Sequence, residues 1–176
     1  MVDLDDLAAA IGSSPRLDRT EQHLAVSLYR ALAEGRPVSV ASLAERCGLG
    51  EAPVAATLAT WPGVLTDDVG SVVGFWGLAL AETAHGYATG GRQLYTWCAW
   101  DTLFITPILD QVAEVSSSCP ATGRPVSLTV GPEGVRRVEP PETVVSFLSP
   151  QQPWADDVVT TFCHYVLFFA SPEAGR

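Results

Sequence analysis

Glu51-Ala-Pro-Val-Ala-Ala-Thr-Leu-Ala-Thr-Trp-Pro-Gly-Val-Leu-Thr-Asp-Asp-Val-Gly-Ser-Val-Val-Gly-Phe-Trp76 is the stretch in which the hydrophobic period changes. Its first part places Val54, Leu58 and Trp61 on one side of a helix, with Pro53 tolerated in the first turn. Pro62-Gly63 ends that helix. Two short β-like stretches follow, 64–65 and 72–76, around the turn Asp67-Asp-Val-Gly70. A helix that gives way to a hairpin within one short stretch predicts an α+β chain.

Upstream, the same period identifies two more helices. From Arg19, Leu24, Leu28 and Leu32 share a face, and Gly35 and Pro37 stop the run. Ser39 is placed to cap a short helix that contains Leu43 and Ala44 and ends at Gly48. Residues 7–11 suggest a further small helix before Gly12-Ser-Ser-Pro15. Three helices followed by a hairpin predict a winged-helix-like N-terminal domain over residues 1–80. Duplex binding is the obvious use of such a shape. Yet the third helix carries no Arg or Lys, and residues 1–80 hold ten acids against five arginines. A reader of DNA needs cations for phosphates and Arg or polar groups for bases, so the expectation is a scaffold or lid.

Downstream, residues 81–176 read as a mixed α/β domain with an antiparallel-rich sheet. Residues 94–112 suggest a helix that Pro107 kinks or ends. Strand-like stretches follow at 114–118, 126–130 and 143–148, separated by Pro120-Ala-Thr-Gly123 and Gly131-Pro-Glu-Gly134. Residues 150–157 read as a loop or short helical turn. Residues 158–169, rich in β-branched and aromatic side chains, read as a buried strand.

The whole chain has 176 residues, is 47% hydrophobic and only 17% charged, and carries a net charge of −10, with every basic residue an Arg. Such a surface repels phosphate backbones. No apolar run is long enough to span a bilayer, and the acidic start, Met1 to Asp6, lacks the basic and apolar parts of a secretory signal. A cytoplasmic location is expected, with Cys47, Cys98, Cys119 and Cys163 as reduced thiols.

Chemistry concentrates at few places. Cys98 and Asp101 are spaced i and i+3, so on a helix they would share a face, flanked by Trp97 and Trp100. A cysteine in a first helical turn gains thiolate character. A buried structural cysteine beside a surface aspartate is the competing reading of that pair. Cys163, inside the last apolar stretch, reads alone as core, and by alternation would share a face with Tyr165, Leu167 and Phe169. Cys119 precedes a turn and reads as structural; Cys47 carries no expected role; His164 reads as a packed or partly exposed histidine, and His23 and His85 fit no metal-ligand spacing. There is no phosphate-binding glycine loop, no Cys-x-x-Cys and no Gly-x-Ser-x-Gly.

Three blocks nevertheless resemble one family in order and spacing. They are Leu94-Tyr-Thr-Trp-Cys-Ala-Trp-Asp-Thr-Leu103, Val115-Ser-Ser-Ser-Cys-Pro-Ala-Thr-Gly-Arg-Pro-Val-Ser-Leu128 and Phe162-Cys-His-Tyr-Val-Leu-Phe-Phe-Ala-Ser171. They are similar to the organomercurial (alkylmercury) lyases of MerB type, and the N-terminal half is similar in layout. The resemblance spans roughly residues 20–171. It implies that Cys98 and Cys163 bind an organomercurial cation as thiolates. It further implies that Asp101 takes up thiol protons and delivers one to the carbon leaving group, and that the metal-binding set is Cys98, Cys163 and Asp101. It implies no organic cofactor, mercury being substrate and product, and a third, noncatalytic cysteine at Cys119. Cellular thiols and a mercuric reductase are the partners it suggests; nucleic acid and membrane are not expected. The family continues beyond the last block, whereas this sequence stops at Arg176, which bears on solvent exclusion. Two other readings follow from the same residues: a relative that sequesters mercury or another thiophilic metal without turnover, and a winged-helix metal sensor.

Overall fold

The computed structural model describes residues 17–147 and 163–176, so the helix expected over 7–11 and the loop expected over 150–157 lie outside the described residues. Helix α1 (Arg19–Leu32) begins at a capping box: Asp18 accepts from the Glu21 amide at 2.9 Å, and the Glu21 carboxylate accepts from the Asp18 amide at 2.8 Å. Helix α2 (Val40–Cys47) is capped by Ser39 and closed by Gly48 in the left-handed conformation, as expected. Helix α3 (Glu51–Thr60) follows, burying Val54 and Leu58.

The turn Asp67-Asp-Val-Gly70 joins β1 (Val64–Thr66) to β2 (Val72–Phe75), also as expected. Strands β3 (Leu78–Ala79), β4 (His85–Thr89), β5 (Arg92–Thr96), β6 (Ala113–Ser118), β7 (Pro125–Gly131) and β8 (Gly134–Glu139) extend the same sheet. Its order is β1-β2-β3-β5-β4-β6-β7-β8, with every neighbour antiparallel. Helix α4 (Asp101–Leu109) packs against it, and a separate pair joins β9 (Val144–Val145) to β10 (Phe168–Phe169). The α+β class holds. The position expected for a domain boundary, residue 80, falls between β3 and β4 within one sheet.

Three expectations are corrected. The helix expected over 94–112 is a strand, a turn and then a helix: Leu94–Thr96 belong to β5, and α4 starts only at Asp101. Strand β5 lies between β3 and β4, with Leu94 and Thr96 fully buried, so pairing with distant strands overrides the local apolar pattern. The hairpin β4–β5 turns at Gly90-Gly91, both at positive φ, and passed unrecognised in the sequence. Of the stretch 158–169, the described residues 163–169 form a 3-10 turn at Cys163–Tyr165 and a strand only at Phe168–Phe169. Alternation therefore fails there: Cys163, Val166 and Phe168 are buried while Tyr165 is exposed. Of the strand expected over 143–148, the described residues contain only Val144–Val145.

Leu24, Leu28 and Leu32 join Leu43, Val54, Val72 and Phe75 in one core that continues into Leu94, Ile105 and Val130. Leu32 has no exposed surface. Leu32→Ala is expected to cost about 2–5 kcal/mol of unfolding free energy, measured as a shift in urea midpoint at unchanged slope.

Candidate functional site: a buried dithiol and carboxyl

Strand β5 delivers the chain into a buried turn. The Thr96 hydroxyl donates to the Cys98 carbonyl at 3.0 Å, and the Thr102 hydroxyl donates to the Ala99 carbonyl at 2.7 Å. Cys98 therefore sits in the turn before α4, not in its first helical turn. Its amide donates to Asp101 Oδ2 at 2.8 Å, so the i, i+3 spacing is used as a local cap rather than as a shared helix face. The Ala99 amide donates to the Val166 carbonyl at 3.0 Å, and the Val166 amide donates to the Cys163 carbonyl at 3.1 Å. That pair of backbone bonds brings the second cysteine, far along the chain, against the first.

The result is compact. A thiol sulfur from each of Cys98 and Cys163 and a carboxylate oxygen of Asp101 lie within 4.8 Å of one another. Exposures are 0%, 4% and 5%, and both thiols are free. This trio could hold a metal ion, and it is the only such group of His, Cys, Asp and Glu among the described residues. Trp97 and Trp100 are half-buried beside it, and Trp100 meets Phe147 edge-on at 5.5 Å. The three residues singled out in the sequence are thus brought together. Cys119 is buried in its turn, hydrogen-bonded through its backbone to Arg124 and Gly123, outside the trio. The Thr122 hydroxyl pulls the Cys119 thiol down to about 7. Cys47 is half-buried at the end of α2, His23 and His164 are exposed, and burial holds His85 near 4 and hence neutral.

Electrostatics favour stored protons. The neighbouring Cys163, burial and the Asp101 charge, in that order, push the Cys98 thiol far above its ordinary value. Burial pushes the Asp101 carboxyl up from 3.8 to about 6, against the opposing pull of Cys98 and the Trp97 amide. Because the folded value is raised, the stabilising contribution is complete below about 4 and is lost as pH rises through about 6. Asp101→Asn is therefore expected to be the more stable protein at pH 8, by on the order of 2–3 kcal/mol. The gap should shrink towards pH 4. Melting curves at both pH values check it; a gap independent of pH contradicts the assignment.

Sequence reasoning missed Gly77. Its φ is +95°, and a Cβ built there would clash with Asp101 Cγ and stand 2.6 Å from Oδ1 and 2.9 Å from Cβ. Tyr29 was missed as well; its hydroxyl donates to the Trp76 carbonyl at 2.8 Å. The available signal was Gly77 directly after the β-like stretch 72–76, since glycine suits the second position of a two-residue hairpin turn.

The alkylmercury lyase (MerB) family model matches residues 78–176. An alkylmercury lyase of Pseudomonas putida is 47% identical over 153 residues, which is 87% of this chain and 71% of the relative. One from Streptomyces lividans is 44% identical over 149 residues, 85% and 68% of the two chains. A crystal structure of the mercury-bound form of MerB2 matches with a TM-score of 0.74 at 22% identity, covering 98% of this chain and 84% of that one, a likeness of fold.

Proposed function

The chain belongs to the alkylmercury lyase family, and from that premise we propose that Cys98, Cys163 and Asp101 are its reacting groups. The protein is an organomercurial lyase: it converts R–Hg⁺ and a proton into R–H and Hg²⁺. The observation that carries the residue assignment is the buried trio itself, two thiols and one carboxyl within 4.8 Å.

Mercury is soft and prefers thiolates to oxygen ligands. An incoming R–Hg–X, with X a small thiolate, meets the thiols of Cys98 and Cys163. One thiol forms an S–Hg bond, and its proton departs with X. The second thiol passes its proton to Asp101, whose raised carboxyl value suits it to hold a proton near neutral pH. The second S–Hg bond adds electron density to mercury and weakens the Hg–C bond. That bond breaks with its electron pair on carbon, which takes the proton from Asp101. R–H leaves, and Hg²⁺ stays across the two sulfurs. Two further thiols from solution remove it as a dithiolate and return both protons. No organic cofactor takes part in this scheme.

Residues 1–80 are assigned a winged-helix-like scaffold role, supported by α1–α3, the β1–β2 hairpin and the acidic balance of this half. Residues 81–176 are assigned the catalytic part. The acid excess opposes duplex binding. Among the described residues no helix is long and apolar enough to cross a membrane. A cytoplasmic setting supplies the reduced thiols the cycle consumes, and a mercuric reductase is the partner suited to the released ion.

The test is headspace gas chromatography of the protein with methylmercury and excess thiol. Methane over many turnovers is the expected result. Mercury bound without methane would instead make the chain a sequestering relative.

A further inference from the structure

The short loop between β2 and β3 has no role in the scheme above, yet it touches the site. Phe75 pairs with Leu78, leaving Trp76 and Gly77 as a two-residue turn. Both have positive φ, +34° and +95°, the pattern of a type I′ hairpin turn, which favours glycine. Its polar groups are engaged outside the hairpin. The Trp76 amide donates to the Gly63 carbonyl at 3.0 Å, and the Trp97 amide donates to the Gly77 carbonyl at 2.8 Å. From α1, the Tyr29 hydroxyl donates to the Trp76 carbonyl at 2.8 Å. The turn is thus pinned from three directions.

What it is pinned against is the Asp101 side chain. Asp101 Cγ and Oδ1 pack so close to Gly77 that a Cβ there would overlap them. On the other side, the Cys98 amide holds Oδ2 at 2.8 Å. The open face of Gly77 lies against Cγ and Oδ1 while the Cys98 amide holds Oδ2, so backbone bears on both oxygens of the carboxyl.

We propose that the Trp76-Gly77 turn, tethered to α1 by Tyr29, is the positioning element for the Asp101 carboxyl, with Gly77 the residue through which it acts. The inference rests on the lyase reading. Gly77 and Tyr29 touch no reacting atom of substrate; they set where the proton is held. An added methyl at position 77 displaces the carboxyl by about 1 Å, the scale of misplacement that costs about a hundredfold in rate. Tyr29 is 6% exposed, and burial, with Asp101 nearby, pushes its hydroxyl up, so it remains a donor at every working pH.

The test uses the full chain with Gly77→Ala and Tyr29→Phe. Three quantities are followed: methane release, mercuric-ion affinity read from the thiolate-to-mercury ultraviolet band, and the solvent deuterium isotope effect on turnover. Gly77→Ala is expected to lower kcat about a hundredfold, and Tyr29→Phe about tenfold. Ion affinity should stay within about threefold, and the isotope effect should rise as proton delivery becomes limiting. Tyr29→Phe adds no atoms, so it keeps the test decisive if Gly77→Ala does not fold. An active wild type whose folded variants stay within about twofold overturns the inference alone. Parallel loss of ion binding and turnover also overturns it, because that is the mark of a merely structural role. A wild type that binds mercury but releases no methane overturns the lyase reading and the inference with it.

Discussion

Asp101→Asn is expected to lower methane release about 10²–10⁴-fold while mercuric ion still binds across Cys98 and Cys163. Asparagine keeps the size of the side chain and an acceptor for the Cys98 amide at 2.8 Å, so the turn before α4 survives. What disappears is a group that can take a proton from a thiol and return it to carbon. Carbon is a poor proton acceptor until the Hg–C bond has begun to break, so a donor at contact distance matters most at the transition state. The same variant is expected to be the more stable protein above pH 6, because a buried carboxylate has been removed. Lost turnover with gained stability would separate a chemical role from a structural one in a single protein. Turnover within about threefold of wild type would remove Asp101 from the mechanism.

Cys98→Ser and Cys163→Ser are each expected to lower methane release on the order of 10³-fold or more. A hydroxyl is a hard and feeble ligand for mercury. With one sulfur left, the organomercurial is held as a two-coordinate R–Hg–S species, and the added ligation that loosens the Hg–C bond is absent. Each variant should still take up one equivalent of methylmercury, visible by mass spectrometry as an adduct that persists without gas release. Cys119→Ser provides the contrast. That cysteine is buried but lies outside the trio, and its replacement should leave turnover within about threefold. Equal losses at all three cysteines would mean that folding, not ligation, is being measured.

The first three helices were legible because their signals are local. Leu24, Leu28 and Leu32 at helical spacing, Ser39 at a cap and Gly48 at a stop all act within a few residues. The same holds for the turn Asp67-Asp-Val-Gly70. Strand β5 was not legible, because what makes Leu94–Thr96 a strand is pairing with β3 and β4. The segment around Cys163 failed for a related reason: its backbone answers to Ala99 and Ser146, not to its own alternation. At the site, the spacing of Cys98 and Asp101 marked the pair but left a buried structural cysteine as the competing reading, and in the fold that spacing serves a turn and not a helix face. Cys163 joined them only through resemblance to a family. Gly77 contributes by having no side chain, and an absence of atoms leaves little trace in a single sequence.

The backbone bond from Ala99 to Val166 joins two turns that are distant in the chain. Mercury held on both sulfurs would add a far stronger tie at the same place, closing a loop of about 65 residues as a disulfide would. The ion-loaded protein is then the cross-linked form of the molecule, and the thiols that strip the ion away also cut that cross-link. Resistance to heat and to proteases would rise when the second sulfur joins mercury and fall when mercury leaves, so the stage of the cycle is followed by how readily the chain opens.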